Sequence, residues 1–108
     1  MAAPGGAPGK VEQLIEQRIR GEMRPSHLKI INESHLHRHH KAMEGVSSVE
    51  THFRVSIVSE VFQGKSLIAR HREVNRLLSD QLAAEGGIHA LSLVTKTPQE
   101  ADAAMQQR

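Results

Sequence analysis

The 108-residue sequence has no cysteine, tryptophan or tyrosine, and its only aromatic residues are two phenylalanines. Without cysteine the chain has no disulfide and no thiol nucleophile, and any iron–sulfur cluster it binds needs sulfur ligands from a partner. Two phenylalanines leave almost nothing on which single-stranded bases stack. No apolar run approaches the length of a membrane span, and no signal-peptide core follows Met1. These absences favour an intracellular protein and argue against thiol catalysis, aromatic base stacking and membrane insertion.

The remaining composition is typical of one small globular domain. Apolar residues make up 38% of the chain and charged residues 24%, and the scarcity of aromatics predicts a core of Leu, Ile, Val and Ala. The formal net charge of +2 attracts phosphate weakly unless the arginines share one face. The Pro/Gly/Ala-rich start predicts a flexible tail over residues 1–10, followed by one domain over residues 11–108.

Eight histidines are the main candidates for metal binding, because neutral imidazole binds zinc, copper, nickel and iron. Most lie in or just before one polar stretch, namely His27, His35, His37, His39 and His40. The dense stretch also fits a solvated loop that binds adventitious zinc or nickel, or a free-standing zinc or copper site. There is no His-Glu-x-x-His motif and no recognisable Ser/His/Asp spacing, so the residues predict that the protein is not an enzyme.

The first third of the chain predicts a helix, a strand and a loop. Apolar residues at helical spacing indicate an amphipathic helix over residues 11–23, which Arg24-Pro25-Ser26 ends. Residues 28–33 predict a short strand. Residues 34–50 have no usable period and predict a long loop, a kind of segment that is often functional.

The clearest strand covers residues 51–59, where Phe53, Val55 and Ile57 alternate with more polar residues. A turn then leads into a long helix with Ser66 as its N-cap, ended by Gly86-Gly87. The inward stripe of this helix is predicted to contain Leu67, His71, Val74, Leu78 and Leu82. We expect His71 to be a hydrogen-bonded core histidine, and the arginines of this helix to lean outward.

The last part of the chain completes the predicted topology. Residues 88–95 indicate a third strand, and Thr97-Pro98 provides the N-cap and the N1 proline of a final helix. A right-handed crossover makes the last two strands parallel, and the first two strands are then antiparallel across the long loop. The prediction is an α+β domain of order α-β-β-α-β-α, with a three-stranded mixed sheet and helices packed on one face.

Several blocks of residues carry a family resemblance. They are Asn32-Glu33-Ser34, Glu50-Thr51-His52-Phe53, Phe62-Gln63-Gly64-Lys65, Arg70-His71-Arg72-Glu73-Val74-Asn75 and Ile88-His89-Ala90-Leu91-Ser92. Through these blocks, over roughly residues 11–100, the chain resembles the histidine-loop type of the BolA-like family, which has a KH-like (class II) fold. One departure is visible: the family often has Trp shortly after the Thr-Pro pair, whereas Ala101 follows Glu100 here, which bears on the packing of the last helix.

The resemblance implies a non-enzymatic partner of a monothiol glutaredoxin. The two proteins share a bridging [2Fe–2S] cluster, to which the glutaredoxin cysteine and glutathione supply the thiolates, and they serve iron–sulfur assembly, trafficking or iron sensing. The isolated chain is expected to bind no cluster, and to be a monomer that heterodimerises. The implied compartment is intracellular, with the mitochondrion favoured over the plastid or the cytoplasm in a eukaryote.

The same resemblance implies the ligands. His89, in the Ile-His-Ala-Leu segment, is one metal ligand, and the second comes from the loop. A family-like Glu-Ser-x-x-His spacing selects His37, whereas a His-x-His-x-x-His arrangement selects His40, and both assignments stay open. His52 is a supporting or fallback ligand.

Basic residues suggest the alternative function, a DNA-binding transcriptional regulator. KH-like folds hold phosphates at a Gly-x-x-Gly turn, and Phe62-Gln63-Gly64-Lys65 has only one glycine. The candidate nucleic-acid or partner surface consists of Lys65, Arg70, Arg72 and Arg76. This surface also fits a solvated helix face, or a docking site for the glutaredoxin and its glutathione carboxylates.

Overall fold

The computed structural model describes residues 8–34 and 50–106 of the chain. In order, the elements are α1 (Lys10–Met23), β1 (His27–Asn32), β2 (His52–Val58), a turn of 3-10 helix (Glu60–Phe62), α2 (Leu67–Leu77), α3 (Ser79–Ala83), β3 (Ala90–Lys96) and α4 (Pro98–Gln106). Two predictions concern residues outside this description: most of the N-terminal tail, residues 1–7, and nearly all of the long loop, residues 35–49. No helix of the described ranges is long and apolar enough to cross a membrane.

The three strands form one mixed sheet in the order β1-β2-β3. β1 runs antiparallel to β2, with Asn32 opposite Phe53, and β2 runs parallel to β3, with His52 opposite Ala90. The predicted α+β topology is therefore confirmed. Because β2 is the central strand, its first residues lie between the end of β1 and the start of β3.

The core lies between the sheet and helices α1 and α2. Alternation along β2 buries Phe53, Val55 and Ile57, as predicted, against Ile15 and Ile19 of α1 and other apolar side chains. Further buried members are Met23, Phe62, Val74, Leu78 and Ile88. The expectation of a purely aliphatic core is wrong in one respect, since both phenylalanines are in it. Neither is left on the surface to stack on a base.

The helix predicted between Ser66 and Gly86 is divided at Leu78. Ser66 caps α2 as expected, because its hydroxyl accepts the N–H of Ala69 at 3.2 Å. α2 ends at Leu77 and α3 begins at Ser79, so Leu82 belongs to a separate short helix. The inward stripe extends less far than predicted: Leu67, in the first turn, is 62% exposed.

The N-terminus of α4 is closed by a reciprocal pair of hydrogen bonds. The Thr97 hydroxyl accepts the N–H of Glu100 at 3.2 Å, and the Glu100 carboxylate accepts the N–H of Thr97 at 2.9 Å. This arrangement is a capping box, and it agrees with the predicted N-cap at Thr97. α4 packs against β3, and none of its residues is buried.

Candidate metal-ligand site

His89 follows a turn before β3 whose last two residues, Gly87 and Ile88, are buried. Gly86 has a φ of +76°, which favours glycine, and a Cβ on Gly87 would lie 2.2 Å from the carbonyl oxygen of Gln81, so a side chain is excluded at Gly87. Ile88 fixes the turn, because its side chain is 2% exposed and its N–H donates to that same Gln81 oxygen at 3.0 Å. The His89 side chain, directly after this anchor, is exposed. A rigid backbone thus presents an accessible imidazole.

The carbonyl of Thr51 connects His89 to the central strand. Its oxygen accepts the N–H of His89 at 2.7 Å and that of Ala90 at 3.1 Å. Since Thr51 directly precedes β2, these bonds bring the start of β3 beside the start of β2. The sequence places these two segments more than thirty residues apart, and only the parallel pairing brings them together.

His52, the first residue of β2, lies next to His89. The two ring centroids are 6.0 Å apart, with the rings inclined at 75°. His52 alternates with the core residue Phe53 and is half-buried. A hydrogen bond of 2.8 Å joins the Thr51 Oγ1 atom to the His52 Nδ1 atom. A hydrogen bond of this kind fixes the orientation of an imidazole.

Ser34, two residues after the end of β1, is hydrogen-bonded to the start of β2. The buried hydroxyl of Ser34 accepts the N–H of Thr51 at 2.9 Å and that of His52 at 3.1 Å. At the other end of the loop, Glu50 accepts the N–H of Glu12 at 2.9 Å and so reaches the first turn of α1. Sequence reasoning gave no role to Ser34 or Thr51, although both lie in the residue blocks that carry the family resemblance.

Of the four predicted ligands, the described part of the chain contains His52 and His89 and brings them together. His37 and His40 lie outside the described part of the chain, and their assignment as ligands stays a prediction. Within residues 8–34 and 50–106, no group of three or more His, Cys, Asp or Glu side chains is arranged to hold a metal. Two imidazoles fit one half of a [2Fe–2S] cluster, whose other ligands then come from elsewhere.

The remaining two described histidines lie apart from this site. His27 is exposed on β1, opposite Val58 at the far end of the sheet, and lines a groove beside α4. His71 is half-buried, and its Nε2 atom is buried without a hydrogen-bond partner among the described residues. The expectation of a hydrogen-bonded core histidine is therefore wrong for this nitrogen.

The predicted basic surface is smaller than expected. Arg70 does not lean outward: it is 7% exposed, lies over the Phe62 ring, and donates to the carbonyl oxygens of Lys65 at 2.9 Å and Thr95 at 3.1 Å. Its guanidinium also binds the Glu100 carboxylate, and this hydrogen bond is the main reason that the pKa of Glu100 falls to about 2.

Of the other three members of that surface, Lys65 is ion-paired with Glu73. Arg72 and Arg76 are exposed on α2. Of the four predicted members of this surface, only Arg72 and Arg76 can therefore bind phosphate without breaking an ion pair between described residues.

Comparison with known proteins identifies the family. The family model described as BolA-like protein matches residues 19–100, and the chain belongs to this family. Protein BOLA1, chloroplastic, of Arabidopsis thaliana is 43% identical over 80% of this chain and 52% of its own length. A Vibrio cholerae protein named DNA-binding transcriptional regulator BolA is 42% identical over 83% of this chain and 77% of its own length. The chain spans about half or less of the first two curated relatives it matches.

The fold is shared with solved BolA structures. The BolA domain of SufE1 from Arabidopsis thaliana superposes with a TM-score of 0.75 at 41% identity, and the match covers 87% of this chain and 99% of that domain. This agreement confirms the predicted fold as a BolA-like domain.

Proposed function

We propose that this protein is a non-enzymatic adaptor in iron–sulfur cluster assembly and trafficking. It binds a monothiol glutaredoxin and shares a bridging [2Fe–2S] cluster with it through histidine ligands. The observation that carries the proposal is the exposed His89, whose ring centroid lies 6.0 Å from that of His52, on a chain without cysteine. The glutaredoxin cysteine and glutathione supply the thiolates, and two imidazoles complete the set, as in a Rieske-type cluster.

In this proposal His89 is the first ligand and either His37 or His40 is the second, while His52 supports the site or replaces the loop ligand. The fixed turn before His89 supports this choice, because ligands on rigid backbone hold a metal with little reorganisation. The isolated chain, which is proposed to be a monomer, binds no stable cluster because it lacks thiolates.

Anaerobic reconstitution with a monothiol glutaredoxin and glutathione tests the function. Visible absorption and circular dichroism are recorded for the mixture and for each protein alone. We expect a new spectrum in the mixture only, lost in His89→Ala and kept in His27→Ala, whose histidine is also exposed but lies at the opposite end of the sheet. A glutaredoxin spectrum that the protein leaves unchanged, with no complex on sizing, would contradict the proposal.

The second ligand is decided by single variants in the same reconstitution. We expect one of His37→Ala and His40→Ala to abolish the mixed spectrum, and His52→Ala to shift it. If both loop variants keep the spectrum and His52→Ala abolishes it, His52 is the second ligand.

The proposed compartment is intracellular, and in a eukaryotic cell the mitochondrion. Two Arabidopsis thaliana relatives carry organelle names, one "chloroplastic" and the other "chloroplastic/mitochondrial". Imaging of the full chain with a C-terminal fluorescent tag tests this assignment.

A second candidate function is DNA binding. It is favoured by the name of the Vibrio cholerae relative and by the exposed side chains of Arg72 and Arg76. The small net charge and the engagement of Arg70 and Lys65 within the fold place it second.

A further inference from the structure

We propose that Ser34 is a positioning residue, whose hydroxyl sets the place of His52 and His89. The inference rests on the proposed function, because those two imidazoles belong to the proposed cluster site. Ser34 binds no metal itself. It acts through the backbone of Thr51 and His52.

The Ser34 hydroxyl replaces a backbone acceptor at the end of the β1–β2 ladder. The last backbone bond between these two segments is the N–H of Glu33 to the carbonyl oxygen of His52, at 2.8 Å. Beyond it, one side-chain oxygen accepts two successive N–H groups, from Thr51 and His52. Ser34 is itself held by the Asn32 side chain, which accepts its N–H at 2.9 Å.

Ser34 is 2% exposed, so replacing its hydroxyl by a water molecule costs free energy. Loss of the acceptor of a half-buried N–H is unfavourable, and removal of this oxygen takes away the acceptor shared by two such groups. The backbone of residues 51 and 52 must then shift or open toward solvent. Phe53, which follows, stays anchored in the core at 1% exposure, so the disturbance is confined to the first residues of β2.

This local shift reaches both histidines. His52 is one of the two residues whose N–H is released, and the Thr51 hydroxyl is bonded to its ring. His89 is bonded to the peptide group between Thr51 and His52, because the Thr51 carbonyl oxygen accepts its N–H. Two hydrogen bonds and one residue therefore connect the Ser34 hydroxyl to the backbone of His89.

Ser59 provides a matched control at the opposite end of β2. It is 1% exposed, its hydroxyl accepts the N–H of Val61 at 3.2 Å, and it donates to the carbonyl oxygen of Met23. Ser59→Ala thus removes a buried hydroxyl that accepts one N–H and donates once, far from His52 and His89. Ser34→Ala removes one that accepts two N–H groups and donates to the His52 carbonyl oxygen at 3.5 Å. A merely structural role predicts the same behaviour for both variants.

The test compares the wild-type chain, Ser34→Ala and Ser59→Ala by NMR without metal, and then in the reconstituted mixture with glutaredoxin and glutathione. In Ser34→Ala we expect at least tenfold faster hydrogen exchange at the amides of Thr51, His52 and His89, with shifted ring resonances of both histidines. In the mixture we expect an altered visible circular dichroism spectrum. In Ser59→Ala these readouts stay as in the wild type, while the unfolding midpoint falls in both variants.

If the exchange rates and ring resonances at residues 51, 52 and 89 are equal in the two variants, Ser34 is not a positioning residue. These readouts need no cluster, so they decide the role of Ser34 separately. A wild-type mixture without a shared cluster would overturn the proposed function and not the positioning of the two rings.

Discussion

Arg70 and Glu100 form a bidentate ion pair that joins α2 to the first turn of α4. Nη1 of Arg70 donates to one carboxylate oxygen at 2.7 Å, and Nη2 donates to the other at 3.0 Å. The same carboxylate accepts the N–H of Thr97, so Glu100 caps α4 and binds α2 at once. Because Arg70 also donates to two carbonyl oxygens, it acts as a structural residue of the fold.

Arg70→Lys should therefore destabilise the protein although it preserves the charge. An ammonium group cannot reproduce the planar fork that reaches Glu100 and the carbonyl oxygens of Lys65 and Thr95 together. We expect a loss of about 2 kcal/mol in the free energy of unfolding, measured in urea. Arg72→Lys, on the exposed face of the same helix, should stay within about 0.5 kcal/mol of the wild type. Equal stabilities of the two variants would contradict the structural role of Arg70.

Acid should weaken the same junction. The Arg70 hydrogen bond holds the pKa of Glu100 at about 2, below its ordinary value of 4.5. A carboxyl group with a depressed pKa stabilises the fold fully above the unfolded-state pKa, and this contribution is lost as the pH falls from about 4.5 toward 2. We expect Glu100→Gln to be less stable than the wild type at pH 7 and to show a smaller loss of stability over this range.

Urea unfolding at several pH values between 2 and 7 measures this difference. Glu85→Gln is the control, because Glu85 is exposed and has no ion pair among the described residues. A pH slope that is the same in Glu100→Gln and in the wild type would show that this pair contributes nothing. We expect Asp80, whose pKa is lowered by its hydrogen bond from Arg18, to contribute to the acid sensitivity that remains in the variant.

The sequence predicted the sheet well because its signals are local. The alternation of Phe53, Val55 and Ile57 determines which face of β2 is buried, and the right-handed crossover rule then orders the strands. The caps at Ser66 and Thr97 are equally local, since each side chain bonds an N–H three residues away. All of these features were confirmed.

The error at Arg70 and the relationships that the sequence missed come from contacts between distant residues. Helical periodicity placed Arg70 outside, because a stripe count contains no information about Glu100, thirty residues later. Likewise the neighbourhood of His52 and His89 follows from the β2–β3 pairing, and the role of Ser34 from its bonds to residues 51 and 52. The blocks of family resemblance contained these residues, but only the fold joins them into one site.

The turn before His89 makes a further prediction testable. Gly86 has a φ of +76° with open space where a Cβ would lie, so Gly86→Ala costs only the backbone energy of the left-handed region. We expect it to lower the free energy of unfolding by about 1 kcal/mol. Gly21→Ala, in an exposed part of α1 with equally open space, should raise stability by about 0.5 kcal/mol. Urea unfolding of both variants checks the opposite signs, and a stabilised Gly86→Ala would show that the turn does not need this conformation.

The second candidate function has a quantitative test. If the protein binds duplex DNA through α2, the affinity falls with salt, and Arg72→Gln/Arg76→Gln should reduce the slope of log K against log salt by about 2. Fluorescence anisotropy with a labelled duplex, at several salt concentrations, measures the slope. Arg24→Gln/Lys29→Gln is the charge-matched control, since both residues are exposed, lie outside α2 and have no ion pair among the described residues. Equal slopes for both double variants would show that the interaction is a general effect of charge, and DNA binding through α2 would be excluded.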